Sequence, residues 1–285
     1  MRILVFLAVW KRPEITEICF VGLKRLKSRF PIEALAVISE ETMIPLCEKY
    51  GIRWVFYKNE PVGEKKNYGL NEAMKLEWDY LLEIGSDDLV KDELIELYSN
   101  YFGKYEYFGT KDAIIIDSAT GACRRLKSDT TYGLGRCISR NIIEKHCYGV
   151  DILAKDNIVC RGRSTASGNK GFFKVEVAKE LEGFGRLEIL GQPRYRLWKD
   201  EINRGLDNNS DFFLMTQGIG HRAIPTDKPL CIDIKGKDNI WPFNPALGSV
   251  YDLDKALQGL SQEEQSMIFA LWKKKSNIEY ANHLQ

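Results

Sequence analysis

Two carboxylates, Asp87 and Asp88, lie side by side where the apolar run LLEIG ends, in the stretch LLEIGSDDLVKDEL. Carboxylate oxygens are the ligands that hard divalent cations prefer, and such a cation shares its coordination sphere with phosphate oxygens. A cation held there could neutralise a diphosphate leaving group as its bond breaks. Ser86 and the two aspartates are also good N-cap residues for the helix that DELIEL predicts. The residues alone leave both interpretations open, a metal loop and a helix cap.

Three basic side chains have types and positions that suit a site for phosphate. Lys65 and Lys66 open a predicted helix, although the helix dipole disfavours a cation at an N-terminus. A diphosphate lying between them would remove that conflict. Arg12 precedes a proline at the end of the first apolar run, where it could reach a base or a phosphate. Exposure to solvent would account for all three just as simply.

The elements that would position these side chains alternate along the first part of the chain. The short apolar runs RILVFLAVW, EALAVIS, IRWVFYKN and DYLLEIG predict buried strands. Apolar residues at helical spacing follow each of the first three. This alternation is typical of βαβ units, in which ligands bind beyond the carboxyl ends of the strands. Residues 10–12, 39–40 and 86–88 should therefore meet at one cleft.

The pattern loosens after KDELIELYSNYF, a predicted helix. YEYFGTKDAIIIDSATG predicts strands joined by turns, and YGLGRCISRNIIEK predicts a glycine-rich loop that continues into a helix. Residues 150–192 are rich in Gly, Ser, Lys and Arg, which predicts an irregular insertion. RLWKDEINRGLDNNSDFFLMTQG predicts two helices around a turn at 205–209, and PLCIDIKG a late strand. Residues 260–272 have the spacing of an amphipathic helix.

Composition limits the classes of function. The chain of 285 residues has 41 basic and 40 acidic side chains, a net charge of +1, so no global field attracts nucleic acid or an anionic membrane. No apolar run approaches the ~20 residues that span a bilayer. The seven cysteines are scattered and contain no CxxC pair, which indicates reduced thiols. We expect a cytoplasmic protein without membrane insertion.

Several of these stretches resemble segments of GT-A-fold glycosyltransferases, especially those of family 2. AVWKRPE resembles the TYNRPE type of nucleotide-binding turn, EKKNYGLNEA the ARNxGxxxA helix start, and LLEIGSDDLV the D-x-D-D metal loop. YGLGRCISRNIIEK and LWKDEINRGLDNNSDFFL resemble stretches of phage-type and bacterial members, and CIDIKGKDNIWPF resembles their late strand. The chain departs from the pattern at Gly85, where the family usually has the first aspartate.

The resemblance implies an α/β fold, a GT-A-type Rossmann-like mixed sheet flanked by helices, over residues 1–250. Its nucleotide-binding half would be residues 1–95 and its acceptor half residues 96–250, followed by a C-terminal helical extension at 251–285. It implies Mg²⁺ or Mn²⁺ as the cofactor and a nucleotide-diphosphate sugar, in the first instance a UDP-sugar, as the donor. The implied metal ligands are Asp87, Asp88 and His221. The implied donor contacts are Val9, Trp10, Arg12, Glu40, Lys66, Asn67, Ser86, Asp87 and Arg136.

The same resemblance implies a carboxylate in the second half that removes the proton of an acceptor hydroxyl as the sugar carbon is attacked. Asp207 is the first candidate because the glycine-flanked turn GLDNN can present it to a cleft. Asp211 begins the next predicted helix and has the position of a cap, and Asp200 is the third candidate. Inversion is the expected outcome at the sugar carbon, although no motif fixes it.

Two other functions fit parts of the sequence. A sugar nucleotidyltransferase would need a glycine-rich basic loop after the first strand, and AVWKRPE has no glycine. A degenerate, non-catalytic nucleotide-sugar-binding protein would explain Gly85. The acceptor could be a modified base in DNA, because the basic stretch from Lys155 to Lys174 includes Phe172 and Phe173, which could stack on bases. A solvated loop anchored in the core by these two phenylalanines is the simpler interpretation.

Overall fold

The computed structural model describes residues 1–128, 131–160, 163–165, 168–239 and 241–282, and the side chains of these except 158–160, 163–165 and 273–282. In chain order its strands are β1 (Ile3–Val9), β2 (Ile32–Ile38), β3 (Arg53–Phe56), β4 (Tyr80–Gly85), β5 (Asp88–Val90), β6 (Tyr107–Thr110), β7 (Asp112–Asp117), β8 (Cys123–Lys127), β9 (Arg136–Ser139), β10 (Tyr148–Ala154), β11 (Ile158–Cys160), β12 (Arg163–Thr165), β13 (Lys170–Phe173), β14 (Leu187–Tyr195), β15 (Arg222–Ile224), β16 (Cys231–Lys235) and β17 (Ser249–Val250). Its helices are α1 (Pro13–Arg29), α2 (Ile44–Lys49), α3 (Val62–Ala73), α4 (Asp92–Ser99), α5 (Arg140–His146), α6 (Val175–Gly183), α7 (Leu206–Met215), α8 (Leu253–Leu257) and α9 (Gln262–Asn282).

A mixed seven-stranded sheet runs in the order β15-β6-β9-β4-β1-β2-β3. β1 pairs in parallel with β2 and β4, whereas β9 lies antiparallel to both β4 and β6. β1 is buried because its alternate side chains pack against different helices. Val5 and Leu7 join the apolar cluster of Phe20 in α1, and Phe6 joins that of Leu70 in α3. This confirms the predicted α/β class, a mixed sheet flanked by helices.

A second sheet has five strands in the order β17-β8-β7-β16-β5. The chain leaves the first sheet after Gly85 and enters the second at Asp88. One apolar cluster contains Ile18 of α1, Ile114 of β7 and Ile268 of α9, so the C-terminal helices pack onto the same core. Among the described residues, no helix combines the length and the apolar character that crossing a bilayer requires.

The described residues between 148 and 195 form a small antiparallel unit, so the irregular structure predicted for 150–192 is wrong. β10 pairs with β13 and β14, α6 packs against them, and β11 pairs with β12. Val150, Ile152 and Ala154 alternate along the buried side of β10. The partner strands, KGFF and LEILGQPRY, carry too few alternating apolar residues to show a two-residue period.

The first helix predicted in RLWKDEIN is also wrong, because the chain from 196 to 205 forms no helix and α7 begins directly after it. This segment instead caps α3, whose first turn has free backbone donors. The carbonyl of Asp200 accepts a hydrogen bond from Glu64 N–H (3.1 Å), and that of Ile202 accepts one from Gly63 N–H (2.9 Å). The segment from 196 to 205 therefore supplies backbone carbonyls to the first turn of α3.

Candidate active site

A cleft of about 360 Å³ is lined by residues of β1 and β4 in the first sheet and of β7 and β16 in the second. Its walls include side chains that the sequence predicted for the site: Trp10, Arg12, Lys66, Ser86, Asp87, Asp88 and Asp207. They also include Lys65, which the sequence offered as a phosphate contact, and side chains that it did not predict: Glu83, Asp233, Lys235, Asn239 and Trp241. The cleft lies beyond the carboxyl ends of parallel strands, where open α/β sheets bind ligands.

Three carboxylates meet in this cleft. Asp87, Asp88 and Asp233 each place an oxygen within 4.8 Å of the others. Asp88 of β5 and Asp233 of β16 are partners in the antiparallel ladder, and like charges directly opposite one another are destabilising. Burial raises the pKa of Asp88 well above its ordinary value, and the charges of Asp233 and Asp87 raise it further. Burial and the charge of Asp87 likewise raise the pKa of Asp233 to about 7.

The donor set of this cluster suits a hard divalent cation. Its ligands are all carboxylate oxygens, which Mg²⁺ and Mn²⁺ accept readily. Oδ1 of Asp233 is buried and makes no hydrogen bond, so it keeps a free lone pair toward the cluster. A cation there would relieve the repulsion that raises the pKa values of Asp88 and Asp233. Asp87, Asp88 and Asp233 are therefore the residues that would hold it.

The helix-cap interpretation of Ser86, Asp87 and Asp88 does not hold in the structure. α4 begins at Asp92, and its N-cap residue is Lys91, which makes no side-chain cap hydrogen bond. Asp88 instead accepts a hydrogen bond from the backbone N–H of Gly85 within the loop. The two neighbouring carboxylates thus belong to the cleft and not to the helix that follows them.

A strained turn after β1 aims Arg12 at the cluster. Lys11 and Arg12 both adopt left-handed backbone conformations, with φ of 54° and 56°, each of which costs about 1–2 kcal/mol for a residue with a Cβ. Glu40 supports the turn by accepting a hydrogen bond from Lys11 N–H (2.9 Å). Arg12 donates to Asp87 (2.7 Å) and to Ser86 Oγ (3.1 Å). Backbone strain of this kind is typical of functional sites.

The end of β16 and the segment after it complete the cluster. Lys235 forms an ion pair with Asp233, and its Nζ lies 4.8 Å from the centre of the Trp241 ring. Asn239 donates a hydrogen bond to Oδ2 of Asp87. Arg12 and Lys235 therefore balance two of the three carboxylates. CIDIKGKDNIWPF was predicted only as a late strand, and its one signal was an aspartate within an otherwise apolar strand, a position that disfavours Asp.

A buried chain of alternating charges runs inward from the wall of the cleft. Lys66 pairs with Glu83, and Glu83 accepts a hydrogen bond from Arg136 (2.8 Å). Burial alone would raise the pKa of Glu83, but the charges of Lys66 and Arg136 outweigh it and lower that pKa to about 2. Arg136 also donates to Asp211 (2.9 Å), which accepts a further hydrogen bond from the hydroxyl of Tyr107.

Asp207 reaches the cleft from the first turn of α7. One of its carboxylate oxygens accepts a hydrogen bond from Gly133 N–H (3.1 Å), and the other lies 3.5 Å from Nη2 of Arg136. Half of the side chain (50%) stays exposed. A carboxylate that is fixed on one side and open on the other can accept a proton from a bound hydroxyl.

Three residues expected to contact the donor make hydrogen bonds within the protein framework. The carbonyl of Val9 accepts a hydrogen bond from Lys65 Nζ (2.7 Å), and burial lowers the pKa of Lys65 to about 7. Asn67 is buried and accepts hydrogen bonds from Leu197 N–H and Trp198 N–H, so it holds the segment that caps α3. Glu40 supports the turn after β1 as described above.

Four further candidates lie away from the wall of the main cleft. Asp200 pairs with Arg194 (2.6 Å) and lines a separate cleft beside α3. Asp211 and Arg136 pair with each other behind the cleft. His221 is not part of the carboxylate cluster found among the described residues, and its ring packs edge-on against Tyr107 at 6.0 Å.

No protein-family model matches the chain, and no curated protein matches it. Among solved structures it is similar to S. aureus TarS 1–349 at 14% identity and a TM-score of 0.39, over 82% of this chain and 60% of that one. A TarS structure of the same length contains UDP. It is also similar to a mannosyltransferase from Pyrobaculum calidifontis, solved with GDP-Man and Mn²⁺, at 10% identity and a TM-score of 0.46. This similarity covers 83% of the chain and 58% of the mannosyltransferase.

A third similar structure is the 4-diphosphocytidyl-2C-methyl-D-erythritol synthase of Anaerococcus prevotii DSM 20548, at 15% identity and a TM-score of 0.35. The similarity covers 51% of this chain and 73% of the synthase. The chain spans less than two thirds of the first two proteins. Similarities this distant carry no argument about function, which has to come from the cleft itself.

Proposed function

We propose that the protein is a metal-dependent glycosyltransferase of the GT-A type, which moves a sugar from a nucleotide diphosphate, in the first instance UDP, to an acceptor hydroxyl. The observation that carries this proposal is the convergence of Asp87, Asp88 and Asp233 in one cleft, with Asp207 on its wall. The cluster of three carboxylates suits a cation that binds a diphosphate, and Asp207 has the position of a general base.

The side chains of the cleft have different roles in the transfer of the sugar. Bound Mg²⁺ or Mn²⁺ would supply charge neutralisation for the leaving diphosphate. Arg12 and Lys66 add positive charge at the same wall. Asp207 accepts the proton of the acceptor hydroxyl while that oxygen bonds to the sugar carbon. The bond from this carbon to the diphosphate breaks, and its electron pair leaves with the nucleotide. Positioning and fixed charges would provide most of the rate enhancement.

A thermal-shift screen tests this proposal. UDP, UDP-glucose, UDP-N-acetylglucosamine and GDP-mannose are added with Mn²⁺ or with EDTA. A nucleotide at about 100 times its Kd should stabilise the fold by about 2.7 kcal/mol, and only with Mn²⁺. Asp87→Asn and Asp233→Asn should abolish this gain. Asp156→Asn, at an exposed aspartate paired with Arg186, should retain it. The proposal fails if no diphosphate nucleotide moves the melting temperature.

The same protein samples separate the two alternative functions. A nucleotidyltransferase would release pyrophosphate from CTP or UTP in the presence of a sugar 1-phosphate. A non-catalytic binding protein would bind UDP with Mn²⁺ but turn over none of the nucleotide sugars, even to water. A glycosyltransferase would release UDP from at least one of them.

The described residues do not strengthen the case for DNA as the acceptor. Phe173 is only 7% exposed, and the guanidinium of Arg196 lies 5.2 Å from the ring of Phe172, so both rings proposed to stack on bases already make contacts within the protein. Residues 161–162 and 166–167 of the basic stretch lie outside the described residues. Loss of DNA affinity with rising salt is the measurement that would support a nucleic-acid acceptor.

A further inference from the structure

We propose that Arg136, anchored by Glu83, is a positioning residue that holds Asp207 in place as the base, an inference that rests on the function proposed above. Arg136 resembles a donor-binding residue in sequence, but its side chain is 0% exposed and does not line the cleft. A fully buried arginine surrounded by carboxylates is placed to hold other side chains and not a soluble ligand.

The guanidinium of Arg136 joins the first sheet to α7. Arg136 of β9 and Glu83 of β4 are partners in an antiparallel ladder, and Nη2 donates to Glu83 (2.8 Å). Nη1 donates to the carbonyl of Asp207 (3.2 Å) and to the carboxylate of Asp211 (2.9 Å). The planar, rigid fork of an arginine can bind both sides at once, which a lysine ammonium cannot do with the same geometry.

Gly133 confines Asp207 from the other side. A Cβ atom at Gly133 would lie 2.2 Å from Oδ1 of Asp207, so only glycine leaves room for the carboxylate there. The backbone N–H of Gly133 holds Oδ2 (3.1 Å), while Oδ1 lies 3.5 Å from Arg136. The short segment from 133 to 136 thus fixes both oxygens and leaves the exposed half of the side chain open to a ligand.

Substitution of Arg136 by lysine keeps the positive charge but removes the forked guanidinium group. In Arg136→Lys, kcat for release of UDP from a UDP-sugar should fall about 100-fold, the scale expected when a reacting group is displaced by about 1 Å. KM for the donor should change by less than about threefold, because the acidic cluster is untouched. Glu83→Gln, which weakens the anchor and keeps Arg136, should lower kcat less than Arg136→Lys does.

Arg25→Lys is the matched control. Arg25 is 13% exposed and binds Glu264 and Asp92, so its replacement weakens a comparable network of ion pairs away from the cleft. It should cost stability and leave kcat unchanged. If Arg136→Lys lowers kcat no more than Arg25→Lys does, Arg136 is only structural and the proposal is overturned.

A second readout does not depend on activity. In ¹H–¹⁵N spectra, the Gly133 amide reports its hydrogen bond to Asp207, and Asp207→Ala calibrates the chemical-shift change when that bond is lost. Arg136→Lys should move the Gly133 resonance toward the Asp207→Ala position, and Arg25→Lys should leave it in place. An unmoved resonance in Arg136→Lys overturns the positioning role even if the protein is a transferase. Absence of any turnover in the wild type refutes the proposed function. In that case the Gly133 resonance still shows whether Arg136 positions Asp207.

Discussion

Gly85 occupies the position where the resemblance to GT-A glycosyltransferases places an aspartate, and the structure gives a physical reason for the difference. A Cβ atom at this position would lie 2.6 Å from Oδ1 of Asp87 and 3.0 Å from Oδ2 of Asp88. The third carboxylate comes instead from Asp233, on a strand far along the chain. Sequence could predict Asp87 and Asp88 because they follow a strand directly, but Asp233 depends on the register of a long-range pairing.

Introducing an aspartate at this position should therefore weaken metal binding. In Gly85→Asp the new side chain would push Asp87 and Asp88 away from Asp233 and add a fourth negative charge. We expect Mn²⁺ affinity to fall by about 10- to 100-fold, the usual cost of disturbing the surroundings of metal ligands. Isothermal titration with Mn²⁺ measures this, and Gly183→Asp, where a Cβ meets no atom within 4 Å, is the control. Tighter binding in Gly85→Asp would contradict the assignment of Asp233.

At the scale of elements, the sequence predicted the local βαβ half well and the long-range pairings poorly. The strands β1, β2 and β4 carry apolar runs, which need no partner to be recognised. The buried strand predicted in IRWVFYKN is wrong in its burial, because β3 lies at the edge of the sheet with exposed and half-buried residues. β9 was predicted as part of a loop because its four residues follow two glycines, and its burial comes from β4 and β6 on either side. The segment 196–204 was predicted as a helix because its capping of α3 leaves no trace in local periodicity.

The attachment of helix α9 to the rest of the protein can be tested. Ser261 and Glu264 form a capping box, in which Glu264 accepts a hydrogen bond from Ser261 N–H (2.7 Å) and Ser261 Oγ accepts one from Glu264 N–H (3.2 Å). Glu264 is fully buried and also accepts a hydrogen bond from Arg25 of α1 (2.8 Å). The same side chain thus starts the helix and attaches it to the body.

Glu264→Gln should lower the free energy of unfolding by about 3 kcal/mol, the scale for breaking one partner of a buried ion pair. Arg25 would lose the charge that balances it, although Asp92 remains nearby. The neighbouring Glu263→Gln changes an exposed glutamate on the same helix turn and should alter stability by less than about 0.5 kcal/mol. Urea denaturation of both variants gives the comparison. Equal stability of the two would show that α9 is not attached through Glu264.

At the scale of the whole molecule, the acidic cluster lies where the two sheets meet. The chain passes from β4 to β5 through Ser86 and Asp87, and β16 of the second sheet brings Asp233 back to Asp88. The junction of the sheets therefore carries three carboxylates that repel one another and are partly balanced by Arg12 and Lys235. A cation bound there would join the loop between the sheets, through Asp87, to two strands of the second sheet, through Asp88 and Asp233. Its binding should therefore stabilise more of the fold than the loop alone.

Metal-free protein should consequently lose stability as the pH rises. The pKa of Asp233 lies near 7 in the fold, above its ordinary 3.8, so the folded state binds more protons than the unfolded state between these values. The free energy of unfolding then decreases from about pH 4 to about pH 7. Asp88→Asn removes one charge from the pair, and in EDTA at pH 8 it should be at least as stable as the wild type.

With Mn²⁺ bound, the wild type should be more stable than Asp88→Asn. At about 100 times its Kd the ion adds about 2.7 kcal/mol to the wild type, whereas Asp88→Asn should gain less than half as much because one ligand is missing. Urea denaturation between pH 4 and pH 8, with EDTA or Mn²⁺, measures both effects, and Asp156→Asn should follow the wild type throughout. If Asp88→Asn were less stable without metal yet gained as much from Mn²⁺, the carboxylates would serve only to hold the sheets together. The cation would then have to bind elsewhere.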